Sequence, residues 1–253
     1  MILDKFKLDG KVAIVTGASK GLGQGMAIGL AEAGASIALV ARGDMTETSM
    51  KIQSLGKNCI EIKADLSDSI VVEKIITETV GEFGKIDILV NNAGMIKRAP
   101  ITDFTLEDWD SVMNVNLRTL FYLSQQVAKT MIDQKSGGKI INIASMLSYQ
   151  GGILVPSYTA SKSAVIGLTR LLANELAKHN INVNGIAPGY MATDNTKPLQ
   201  EDEKRNKAIL ERIPAGKWGT PDDMKGAAVF LASEASNYMQ GFTIAIDGGW
   251  LAR

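Results

Sequence analysis

Two side chains four residues apart, Tyr158 and Lys162 in "VPSYTASKSAVIGLTRLLANELAKHNINVN", have the types and spacing to do chemistry. On an α-helix, positions four apart stack on one face, so a phenol and an ammonium there can share one pocket. Positive charge beside a phenol favours its ionised form, which makes the tyrosine a candidate proton acceptor and donor. The same spacing also suits two polar residues on an ordinary solvated helix face. The elements that position the pair must decide between these readings.

Short β-branched runs alternate with longer periodic segments along the whole chain. "KVAIVT" (11–16) reads as a strand, and "GLGQGMAIGLAEAG" reads as a helix ending at Gly34. "SIALVA", "NCIEIKA", "IDILVN", "GKIINIAS", "INVNGIAP" and "FTIAI" supply six further strands, with room for helices between them. Apolar runs with few polar interruptions suit strands buried on both faces, and intervening helices make right-handed parallel crossovers the natural connection. The pattern predicts an α/β fold: a doubly wound parallel sheet of about seven strands with helices on both faces, in one domain spanning 1–253. In "GTPDDM", Thr220 is placed to cap a helix that starts with Pro221 and carries Asp222 and Asp223 in its first turn.

The 253 residues, 45% hydrophobic, suffice for one sizeable core. The 27 basic and 27 acidic residues cancel without like-charge runs, which argues against nucleic acid and membrane surfaces as partners. One cysteine, Cys59, excludes an intramolecular disulfide and reads as a buried strand residue; no Cys/His cluster offers a metal site. "MILDKFKLDGK" lacks a signal-peptide core, and no long uncharged apolar run suggests a membrane span, so the expected location is the cytoplasm.

"TGASKGLGQG" follows the first strand and opens the first helix, placing Gly17, Gly21 and Gly23 at a tight turn. The helix N-terminus there offers free N–H groups and a positive dipole end to a pyrophosphate, although the spacing is not G-x-G-x-x-G and a plain glycine-rich turn would look alike. "ADLS" and "NNAG" follow the third and fourth strands, at the carboxyl edge where open α/β sheets bind ligands. Asp65 there can accept from an adenine amino group, and Asn92, Ala93 and Gly94 can let backbone approach a ribose; turn roles are the competing reading.

Taken together, "TGASKGLG" (16–23), "NNAG" (91–94), Asn116 in "NVNL", Ser145 in "INIAS", the Tyr158/Lys162 pair and "PGYMAT" (188–193) resemble the short-chain dehydrogenase/reductase family from end to end. The resemblance implies a seven-stranded Rossmann-type sheet, a nicotinamide cofactor and a catalytic set of Asn116, Ser145, Tyr158 and Lys162. It also implies cofactor contacts from Gly17, Ser19, Lys20, Gly21, Leu22, Gly23, Arg42, Asp65, Leu66, Asn92, Ala93, Gly94, Pro188, Gly189 and Thr193, besides Tyr158 and Lys162. After the second strand the chain has Ala41 and Arg42 in place of an acidic residue, and Lys20 stands in the glycine turn. Both cations suit the extra phosphate of NADP, although the similar sugar-acid enzymes of the family usually use NAD.

Alcohol dehydrogenation requires a base for the hydroxyl proton while hydride leaves for the nicotinamide. His179, the only histidine, sits near an apparent helix end and suits a C-terminal cap, which leaves Tyr158. A phenol with an ordinary pKa of about 10 needs about 3 to 4 kcal/mol in favour of phenolate to work near neutrality, and Lys162 and the oxidised nicotinamide are expected to supply it. Ser145 is expected to hold the substrate oxygen, and Asn116 to anchor a water that relays protons to Lys162.

Four longer stretches, among them "RIPAGKWGTPDD" and "DGGWLAR", are similar to family members acting on 2-deoxy-D-gluconate or 2-dehydro-3-deoxy-D-gluconate. Such a sugar acid needs a cation for its carboxylate: Lys97 and Arg98 are candidates, with Ser145, Gln150 and Asn195 for its oxygens. The polar segment 190–218 is expected to be a substrate lid or a static excursion. A 3-oxoacyl carrier-protein reductase and a noncatalytic cofactor-sensing regulator share the motifs or the fold and remain alternatives. The family usually forms homotetramers through the helices bearing Asn116 and Tyr158, and the apolar "LFYLSQQVAKTM" and "AVIGLTRLLANEL" suit that packing.

Overall fold

The computed structural model describes all 253 residues. Seven parallel strands lie in the order β3-β2-β1-β4-β5-β6-β7: β1 Val12–Thr16, β2 Ser36–Ala41, β3 Cys59–Lys63, β4 Ile88–Asn91, β5 Gly138–Ile143, β6 Ile181–Pro188 and β7 Thr243–Ile246. Helices α1 (Gly21–Glu32), α2 (Thr46–Ser54) and α3 (Val71–Phe83) separate the first four strands. Between β4 and β5, α4 (Leu106–Met113) passes through a π-helical segment, Asn114–Thr119, into α5 (Leu120–Gln134). The long α6 (Pro156–Leu176) joins β5 to β6; α7 (Lys197–Glu201), α8 (Glu203–Arg212) and α9 (Lys225–Ala232) lie between β6 and β7. No helix is long and apolar enough to cross a membrane.

The period of two along each strand divides the apolar residues between two cores. Ala13, Val15, Ile37, Leu39, Ile88 and Val90 face one layer with Met26 and Leu30 of α1 and Ala228 and Leu231 of α9. Ile14, Ala38, Val40 and Leu89 face the other, with Ile75 of α3, Val127 of α5 and Leu172 of α6. Burial on both faces explains why these strands read as near-continuous apolar runs. Cys59 departs from expectation: it is half-buried, because β3 is an edge strand with one side uncovered, and its Sγ lies 3.3 Å from Ser49 Oγ.

The order of strand addition reverses at β1: β2 and β3 add on one side, and β4 pairs on the other, all strands staying parallel. A crevice therefore opens at the carboxyl ends of β1 and β4, where the glycine turn and "NNAG" meet. His179 lies in a 3₁₀ turn just before β6, at the opposite edge of the sheet. The segment 190–218 is not a bare connection; it holds a 3₁₀ turn and helices α7 and α8.

Candidate active site

Thr16, the last residue of β1, ties the two halves of the crevice together. Its Oγ1 accepts the N–H groups of Asn92 (2.9 Å) and Ala93 (3.0 Å), while Asn92 Nδ2 donates to Thr16 O at 2.9 Å. The amide of Asn92 is thus a clamp between the turns. A Cβ on Gly23 would collide with Gly17 O and Asn92 Nδ2, so the first turn of α1 approaches the strand end only with glycine there. Gly17 also takes φ +66°, a left-handed conformation that favours glycine.

Pro156 opens α6, placing Tyr158 on its first turn and Lys162 one turn later. Ser145 follows β5 and its Oγ accepts Leu147 N–H at 3.1 Å. Ser148 joins the two elements: its Oγ donates to Lys162 O at 2.6 Å and accepts Ser145 N–H at 3.2 Å. Asn116 is fully buried in the π segment; its Oδ1 accepts Met95 N–H (2.9 Å), and its Nδ2 donates to Met95 O (3.0 Å) and Ser161 Oγ (3.2 Å). Both amide hydrogens are therefore engaged, leaving one Oδ1 lone pair as an acceptor.

Burial dominates the electrostatics of the pair. Lys162 is 4% exposed; its Nζ donates to Ile143 O at 2.6 Å and lies 5.8 Å from the centroid of the Tyr158 ring. Burial lowers the Lys162 pKa to about 8, which weakens its hold on a full charge. Burial likewise pushes the Tyr158 phenol above its ordinary value; the Ser145 hydroxyl and then the charge of Arg98 act against that rise. Arg98 and the Lys162 ammonium, 5.8 Å from the ring, both place positive charge near the phenol.

The crevice fits a dinucleotide. Gly94 stands where a Cβ would approach Asn116 Oδ1 to 3.3 Å and Lys162 Nζ to 3.8 Å, so the backbone runs open beside the amine. Gly21 faces Thr193, and Gly189, bonded to Ile246 O at 2.8 Å, has its Cα side against Asp247. Arg42 lies beyond the end of β2, 3.7 Å from Asp65, whose carboxyl is held below its usual range by Ser67 N–H, with Arg42 assisting. Lys20 pairs with Asp194 at 2.6 Å, bridging the glycine turn to segment 190–218. Leu22 and Leu66 pack against the two cores, and the Ser19 carbonyl accepts from Gln24 and Thr48.

A family model described as enoyl-(acyl carrier protein) reductase matches residues 17–251. The chain is a short-chain dehydrogenase/reductase. The 2-dehydro-3-deoxy-D-gluconate 5-dehydrogenase of Dickeya dadantii is 60% identical over the full length of both chains. A solved Agrobacterium tumefaciens protein, proposed to be a 2-deoxy-D-gluconate 3-dehydrogenase and containing bound NADP, shares 50% identity at a TM-score of 0.93, covering 99% of this chain and 100% of the other. A Burkholderia cenocepacia gluconate 5-dehydrogenase in complex with NADP and tartrate shares 39% identity at a TM-score of 0.94, covering 100% of each.

In this dehydrogenase/reductase, the residues singled out for substrate do not all converge. Lys97 turns to Asp108 on α4, 3.0 Å away, so its charge is already matched. Arg98 has no carboxylate partner; it acts on Tyr158 and reaches Asn195 O at 3.4 Å. Gln150 Oε1 accepts from Arg212 Nη2 of α8 at 3.1 Å. Ser148, Arg212 and the Ile143 carbonyl escaped the sequence reading. The spacing of two serines in "SMLS" was a signal for Ser148, since a hydroxyl three residues on can reach back to a capping N–H. A main-chain carbonyl leaves no such mark.

Proposed function

We propose that this enzyme interconverts a secondary hydroxyl and ketone on a deoxy sugar acid, with 2-dehydro-3-deoxy-D-gluconate as the preferred member. Arg98, a cation without a carboxylate, stands within electrostatic reach of Tyr158, and that observation carries the reading: the cleft holding the acid–base phenol also presents positive charge to an anionic substrate. Full-length identity of 60% to an enzyme of that name supports the same choice.

A nicotinamide cofactor held in this crevice would supply or accept the hydride. Tyr158 exchanges the substrate hydroxyl proton, Ser145 Oγ holds the reacting oxygen, and Lys162, fixed by Ile143 O, binds the ribose hydroxyls. Asn116 offers its remaining Oδ1 lone pair to a water that connects the amine to solvent. Arg42 and Lys20 favour NADP; their pairs with Asp65 and Asp194 are exposed and weak, which leaves both cations able to turn to a phosphate. Gln150 and Asn195 meet substrate oxygens, and segment 190–218 closes over them. The exposed Phe121 of α5 and Leu171 of α6 suit a homotetramer packed through those helices, working in the cytoplasm.

A turnover assay with 2-dehydro-3-deoxy-D-gluconate and 2-deoxy-D-gluconate, using NAD and NADP in turn, tests the reading; failure with both acids refutes it. Acetoacetyl thioesters belong in the same assay, because the matching family description names an acyl carrier protein reductase. Preference for the thioester would establish that second reading.

A further inference from the structure

Helix α8 ends in a guanidinium that the proton chemistry does not use. The Cζ of Arg212 lies 3.9 Å from the centroid of the Trp250 ring, and its Nη2 donates to Gln150 Oε1 at 3.1 Å. Arg212 forms no ion pair; the adjacent Glu211 turns to Lys207, 3.9 Å away. Stacking on an aromatic face fixes the plane of a guanidinium while leaving its charge and most of its in-plane donors free.

The platform beneath it is firm and continuous with the reaction centre. Trp250 is 4% exposed and packs with Ile209 and Ile213 of the α8 segment and with Met146, the residue directly after Ser145. Arg253 holds the end of α8 from below, donating to Glu211 O at 2.6 Å and Arg212 O at 3.2 Å. Gln150 lies two residues beyond the 3₁₀ turn Met146–Ser148 that follows Ser145. An unmatched cation is therefore carried by the lid segment to the loop that leaves the catalytic serine.

We propose that Arg212 determines specificity for acidic substrates, binding the sugar carboxylate through its free N–H groups while Arg98 serves the phenol end. This rests on the sugar-acid reading above. Arg212 is placed to select an acid over an uncharged sugar of the same shape.

The test compares kcat/KM for 2-dehydro-3-deoxy-D-gluconate with that for its analogue carrying a hydroxymethyl group in place of the carboxylate. Arg212→Met keeps an apolar stem on Trp250 and removes the charge; the acid-to-neutral ratio should fall about 10- to 100-fold, the effect of losing a charge-assisted contact. Arg212→Lys should give an intermediate ratio. An unchanged ratio in Arg212→Met, whatever happens to the absolute rates, overturns the proposal, as does a lysine variant no better than methionine. If the unaltered enzyme turns over no sugar acid, the substrate reading itself fails, and this inference fails with it.

Discussion

The ammonium of Lys162 sits 5.8 Å from the Tyr158 ring centroid and spends its short hydrogen bond on the carbonyl of Ile143, 2.6 Å away. The pair is one helical turn apart, as the sequence required, yet the amine is anchored to the end of β5 and not to the phenol. It stands beside Gly94, where a Cβ would come within 3.8 Å of its Nζ. Ser145 and Arg98 oppose the rise that burial imposes on the Tyr158 pKa.

Tyr158→Phe removes the exchangeable proton and little else. The variant should fold and bind NADP like the parent while kcat drops at least about 10³-fold, within the span of general acid–base catalysis. Cofactor titration by fluorescence alongside steady-state rates checks both halves; substantial residual turnover assigns the proton transfer to another group.

Arg98→Gln should move the pH profile. Because Arg98 lowers the Tyr158 pKa, its removal raises it, and the limb of kcat/KM for alcohol oxidation that rises with pH should shift to more alkaline values. The position of the limb, not the height of the plateau, is the readout, since removing a cation also changes affinity for an anionic substrate.

Lys162 predicts a stability effect of definite sign. Its folded pKa is about 8 against an ordinary 10.5, so between those values the unfolded chain holds a proton that the folded one has released. Stability contributed by this site therefore rises with pH across that window, by about 2 to 3 kcal/mol from pH 8 to 10, and its desolvation penalty is fully present below pH 8. Urea denaturation of the parent and of Lys162→Met at pH 8 and 10 isolates the difference: the variant should lack this increment. Equal pH responses would mean that burial does not perturb the amine.

Gly23→Ala places a methyl against Gly17 O and the Asn92 clamp. Neither neighbour can retreat without breaking the turn, so a loss of about 3 kcal/mol and a collapse of dinucleotide affinity are expected. Denaturant midpoints with isothermal titration of NADP measure the two effects; normal values in both would show that the turn yields.

The five inner strands, buried on both faces, announce themselves as apolar runs, and the partly exposed edge strands β3 and β7 are legible from their β-branched residues and flanking turns. The glycine turn, "NNAG" and the Tyr158/Lys162 spacing were legible too, because each is local. What escaped depends on register. Asn91 of β4 stands beside Asn142 of β5, and their amides join Ser124 and Thr169 in a buried chain: Asn91 Nδ2 donates to Ser124 Oγ (2.8 Å) and Asn142 Oδ1 (2.9 Å), and Asn142 Nδ2 to Thr169 Oγ1 (2.9 Å). No single segment contains that pairing. The matching of Lys97 by Asp108, and of Lys20 by Asp194, likewise arises only when distant elements meet.

The insertion of β4 between β1 and β5 has a consequence for synthesis on the ribosome. Once β3 has emerged, β1, β2 and β3 can assemble, but the flank of β1 that receives β4 stays open until residues 88–91 follow. That flank is an unpaired edge of an apolar parallel strand, the kind of surface that recruits other chains. A nascent polypeptide stalled in that interval is at its most prone to aggregate, and the threonine that later clamps the nucleotide turn has nothing yet to grip.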